Sequence, residues 1–204
     1  NDELIKFYQA LNAKDYRIIH SLASSNPIFT LLAEYHTIED AMNKELAHVQ
    51  KHIDACDLNK AVVKLSKLQN IHSIEERVTQ QKEECRALKK LQDAYEVNDF
   101  IQCYEIIDNN SFLNTTQLGE LLQTHWFKII HACEAFAIKG NAREIKEKLG
   151  ELISLNTRRD KIGDLFRLAF HTKIKAHIGL QSYKKAEFII YSYIDIFGLD
   201  NEIK

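Results

Sequence analysis

The chain of 204 residues has one proline, six glycines, one methionine and one tryptophan. All-β folds need turn residues at short intervals, so this shortage of breakers excludes a sheet-rich architecture. No run nears the ~18 apolar residues of a membrane span, and no basic-then-apolar leader opens the sequence. The four cysteines (Cys56, Cys85, Cys103, Cys133) show no CxxC spacing. Each falls inside an apolar helical pattern and reads as a small buried hydrophobe in a reducing compartment. Neither GxGxxG nor GxxxxGK[ST] occurs, so a glycine loop cradling phosphate is not supported.

What is present is helical. Lys, Glu, Leu, Ile and Ala dominate, and 45% of residues are hydrophobic, enough for a sizeable core or a short elongated stack. The expectation is an all-α protein, residues 1–204 forming a single helical-repeat domain, cytoplasmic, with no membrane partner. Asn1-Asp2-Glu3-Leu4-Ile5 enters helical pattern at once, so the stretch is expected to belong to a longer protein.

Five asparagines, Asn26, Asn70, Asn114, Asn156 and Asn201, stand 44, 44, 42 and 45 residues apart. Asparagine is a strong helix N-cap, so an even series of them predicts an even series of helices. A second series of cap-type residues, Asp15, Asn59, Asp99, Asn141 and Ser182, interleaves at 44, 40, 42 and 41 residues. Together they predict long segments over 27–56, 71–97, 115–139 and 157–181. Short helices are predicted over 16–24, 60–69, 100–109, 142–155 and 183–197. Pro27 suits a first helical position, and Asn114-Thr-Thr-Gln117 makes a capping-box pattern with Leu113 and Leu118 as staple. Thr37 is a candidate break within the first long segment. Met42, Leu46, Val49, Ile53 and Cys56 step by four and three residues, an apolar stripe at helical period.

This layout resembles the helical-hairpin solenoids, the class that includes tetratricopeptide and HEAT-like repeats. The resemblance covers most of the chain and lies in period and layout. The unit is longer than the ~34 residues of a tetratricopeptide, and the W-x2-L-G-x2-Y signature is absent. It implies an α-α superhelix of about four to five hairpins with a period near 42 residues.

Net charge is −2, unevenly spread. Residues 139–185 hold 12 Lys/Arg against 5 Asp/Glu. Arg158, Arg159 and Lys161 lie in the first turn of a predicted helix, where cations oppose the macrodipole. With Arg167, Lys173, Lys175, Lys184 and Lys185 they form a candidate partner-binding strip. Phe188, Tyr191, Tyr193 and Phe197 make an aromatic cluster that either closes the last repeat or docks a further one. Asn201 looks like the start of another unit.

Catalytic chemistry finds no constellation. His48, His52 and Cys56 rise along one side of a helix behind Glu45, a spacing that can share zinc. Without HExxH or a second cysteine cluster, they read as a buried cysteine beside two surface histidines. His125 and His131, six apart beside Trp126, fall on different helix faces. No catalytic residue, cofactor or metal site is expected. The function expected is a non-enzymatic module that binds a protein or peptide on repeated helix faces. The alternatives are nucleic-acid binding through the basic 139–185 region, or a regulatory sensor with a pocket near the histidines and Trp126.

Overall fold

A computed structural model describes residues 2–201 and 203. Among these there is no strand, and 86% of the chain is helical. The α-helices are α1 (Asp2–Ala13), α2 (Tyr16–Ser25), α3 (Ala33–Asp54), α4 (Leu58–Lys67), α5 (Glu75–Glu96), α6 (Phe100–Asn109), α7 (Gln117–Ile138), α8 (Ala142–Leu149), α9 (Arg159–Gly179) and α10 (Tyr183–Phe197). The long helices α3, α5, α7 and α9 begin 42 residues apart. The short helices α2, α4, α6, α8 and α10 begin 42, 42, 42 and 41 residues apart.

The local cause of this spacing is a corner built the same way five times. Lys14, Cys56, Asn98, Gly140 and Gln181 take left-handed φ values of 53°, 60°, 60°, 73° and 55°. The N–H of each next residue donates to the carbonyl five positions back, at 2.8–3.0 Å, closing a Schellman motif. That same next residue is the N-cap of the following short helix. Asp15, Asp57 and Asp99 accept the N–H of Ile18, Lys60 and Gln102 through their carboxylates. One residue thus finishes one helix and begins another, with no linker between.

Burial follows the same phase. Four residues past each N-cap lie Ile19, Ala61, Cys103, Ile145 and Ala186, none more than 3% exposed. Fully burying a side chain such as Ile145 contributes roughly 2 kcal/mol. Ten residues farther on, Phe29, Ile71, Leu113 and Leu155 are also buried, in or beside 3-10 turns.

These turns correct the expected boundaries. The long helices do not begin at the asparagines, because 3-10 segments (Pro27–Leu31, His72–Ile74, Ser111–Thr115, Gly150–Ser154 and Asn156–Arg158) come first. Asn26 caps only such a turn, accepting the N–H of Ile28. Asn70 sits at φ 61°, Asn114 lies inside a turn, and Asn201 is in a turn at the end. Asn59 is not a cap either. It lies in the first turn of α4, and Asp57 holds the cap because the left-handed Cys56 ends the preceding helix one residue earlier. Thr37 does not break α3, and its hydroxyl donates to the Glu34 carbonyl.

The chain divides into two compact units, Asn1–Asp93 with Phe112–Leu118, and Ala94–Ser111 with Gly119–Lys204. In the first, α1 packs on α2 and α3 on α4, and the Phe7 and Phe29 rings stack 4.9 Å apart. In the second, α6 packs on the turns at 150–154 and 156–158, while α9 packs on α8 and α10. No helix of the described residues is long and apolar enough to cross a membrane.

Candidate functional site

The expected basic strip lies in the second unit, and its members have different employment. Arg158 faces inward, its side chain only 10% exposed. Its guanidinium is bidentate to Asp108, with Nη2 to Oδ1 at 2.6 Å and Nε to Oδ2 at 2.9 Å. It also lies over the rings of Tyr104 and Trp126, 4.6 Å from each centroid. Thr157 donates a third hydrogen bond to Asp108 at 2.6 Å. Burial alone would raise the Asp108 carboxyl, but these hydrogen bonds and the Arg158 charge hold it below its ordinary value. The Tyr104 hydroxyl donates to the Leu122 carbonyl at 3.1 Å and lies 2.9 Å from Nδ1 of His125. Burial pushes Tyr104 up to about 12, against the lowering charge of Arg158. This cluster ties α6, α7 and the 156–158 turn together.

Lys161 pairs with Glu134 at 2.8 Å. Arg167 pairs with Asp164 at 3.1 Å and lies 5.2 Å from the Phe197 ring centroid. Arg159, Lys173, Lys175, Lys184 and Lys185 are exposed, with no ion pair among the described residues. At about 100° per residue, Lys161 and Lys175 point roughly 120–160° away from Arg159 and Lys173 around α9. The structure therefore distributes these cations over different faces of the helix. Lys184 and Lys185 stand apart again, in the first turn of α10. Arg159 and Arg167 do share one place, a hollow of about 510 Å³ walled by Phe166, Phe170 and Phe197.

The terminal aromatics also separate. Tyr193 is fully buried, donates to Asp200, and packs with Phe197 and Phe170. Phe188 and Tyr191 are 73% and 61% exposed.

A larger open groove, about 870 Å³, lies in the first unit between α4 and α5. Its apolar side comes from Leu58, Val62 and Val63, with the two valines 53% and 58% exposed. Its other wall carries Lys82, Arg86, Lys89 and Lys90. These four stand at i, i+4, i+7 and i+8, so they share an arc of about 100° on α5. Lys89 is bound to Asp93 at 2.6 Å, whereas Lys82, Arg86 and Lys90 have no ion pair among the described residues. Cys85 in the same wall is buried, and burial with the nearby Glu84 charge pushes its thiol up, away from nucleophilic use. The groove suits binding: an apolar surface beside fixed positive charge. Charge counting missed it because Glu83 and Glu84 sit between the cations. The helical phase of the four, which puts them on one arc, was the signal.

His48 Nδ1 lies 4.0 Å from Glu45. Cys56 instead accepts the Leu118 N–H on its sulfur at 3.4 Å, and its carbonyl accepts from Gln92. Among the described residues, no group of three or more His, Cys, Asp or Glu is placed to hold a metal ion. No protein-family model matches the chain, and no curated protein or solved structure matches it.

Proposed function

We propose that the chain is a non-enzymatic interaction module, a helical-hairpin solenoid that holds a protein or peptide partner on its helix faces. The 42-residue spacing of helix starts and the five equivalent corners support the solenoid reading, in the class of tetratricopeptide-like and HEAT-like repeats. Four free thiols, three of them buried, support a reducing, cytoplasmic setting.

The observation that carries the binding function is the α4–α5 groove. Adjacent valines more than half exposed stand there beside three cations that have no ion pair among the described residues. Exposed apolar surface rimmed by charge marks contact with another molecule. Photocrosslinking tests this in cells. Val63→p-benzoylphenylalanine is expected to give a discrete protein adduct that the same probe at Arg143, on an exposed helix of the other unit, does not give. Equal labelling from both positions, or none from position 63, would overturn it.

A further inference from the structure

We infer that the α4–α5 groove takes an acidic amphipathic helix from a partner protein, an inference that rests on the interaction-module reading and narrows its partner. Three properties of the groove select that occupant. Both walls are helices, with their mid-helix backbone groups bonded internally, so an extended strand finds no ladder to join. A helix needs only side-chain anchors at i, i+3, i+4 and i+7, and Val62 and Val63 offer an apolar bed for them.

Charge then fixes the sign of the flanks. Lys82, Arg86 and Lys90 are one turn apart along α5, covering about 12 Å. Asp or Glu at i, i+4 and i+7 or i+8 on an incoming helix meets each cation in turn. Glu75 and Asp93 lie on the same arc of α5 at either end of this stripe, which limits the matching segment to two or three turns. Glu83, exposed and about 20° from Lys90 around α5, interrupts the cationic stripe and disfavours a longer polyanion such as nucleic acid. Cation-rich rims change association rate and salt dependence, while the apolar contacts set how long the partner stays.

The test is an unbiased selection. A library of displayed helical peptides, randomised at all surface positions, is panned against the 204-residue chain, and enriched clones are assayed by fluorescence anisotropy. The expected clones carry apolar residues at helical period with Asp or Glu on the flanks. Their affinity falls at least ten-fold with Val62→Asp or with the milder Val63→Ser plus Val62→Ser. It falls at least ten-fold again with Lys82→Glu plus Arg86→Glu, and declines with added salt. Circular dichroism of each variant establishes that it remains folded.

Neutral or basic clones that still depend on Val62 and Val63 would overturn the acidic partner and leave the interaction groove standing. Clones indifferent to both variant sets, or no enrichment at all, would overturn the groove itself. Tighter binding of a labelled single-stranded oligonucleotide than of any peptide, lost on Lys82→Glu plus Arg86→Glu, would replace the protein partner with nucleic acid.

Discussion

Arg158 was expected at a partner surface, and it holds a structural position inside the second unit. A double-mutant cycle with Asp108 measures what that position is worth. Exposed ion pairs contribute about 0–1 kcal/mol, whereas removing one partner of a buried pair costs about 3–5 kcal/mol. Here the arginine side chain is 10% exposed and the aspartate 22%, so the pair lies nearer the buried limit. Asp108→Asn keeps one acceptor and leaves the guanidinium without countercharge, for an expected loss of about 2–3 kcal/mol. Arg158→Met keeps some packing between the Tyr104 and Trp126 rings. It forfeits the bidentate bond and two cation–π contacts, for about 3 kcal/mol. The double variant should recover about 2 kcal/mol of the summed loss, because the two changes remove one shared interaction.

Urea unfolding followed by far-ultraviolet dichroism reads these values. Thermal midpoints for a chain of this size should fall by about 5–10 °C in the single variants. The pH dependence has a definite sign. The native Asp108 carboxyl is held below its ordinary 3.8. Its contribution is therefore present above that value and is lost as pH falls through the lower native one. The gap between wild type and Asp108→Asn should close in that window. A coupling below about 0.5 kcal/mol would place the pair with exposed surface bridges and refute the reasoning.

The corners and the buried tyrosine give two further tests. Gly140→Ala should destabilise by about 1–2 kcal/mol from its left-handed backbone. The new Cβ would also meet the Lys173 backbone nitrogen at 3.2 Å, adding to that cost. By contrast, Asn98→Gly and Gln181→Gly should be neutral or stabilising by up to about 1 kcal/mol, and equal losses at all three positions in urea unfolding would count against the corner description. Tyr104, raised to about 12, should stay un-ionised in the native protein at a pH where a tyrosine of the unfolded chain, at about 10, has formed tyrosinate, as ultraviolet titration of native and urea-unfolded protein reads directly. Its contribution to stability is present below the unfolded tyrosine value of about 10 and disappears as pH rises through the native one.

Much of the helical layout was written locally. Asp15, Asp99 and Ser182 are capping residues followed by apolar steps, and the structure starts α2, α6 and α10 directly after them. The starts of the long helices were hidden, because Phe29, Ile71 and Leu113 continue the apolar pattern through turns that are not α-helical. A buried residue in a 3-10 turn contributes to hydrophobic periodicity as an α-helical one does. Asn59 misled because an asparagine two residues past Asp57 looks equally fit to cap, and only the left-handed Cys56 decides between them. The candidate site was less legible. Summing charge over 139–185 weighs every cation equally, while Arg158 is buried and Lys161 and Lys175 turn away from Arg159. On α5 the error ran the other way, since Glu83 and Glu84 cancel the count although Glu84 points away from the arc of Lys82, Arg86 and Lys90 and Glu83 lies only at its edge.

The shared residue at each corner bears on how the chain meets proteases. A protease must draw several residues into extended form, and exposed loop tips normally supply them. At Lys14 and Lys139, both exposed and both basic, the chain passes from one helix to the next with its amides already bonded. Trypsin has a side chain to recognise there and no slack to pull, so cleavage at these lysines waits for the helices on either side to open. The rate of cutting at Lys14 or Lys139 thereby reports the opening of the unit around it, and a partner that stabilises that unit would slow the cut without covering the site.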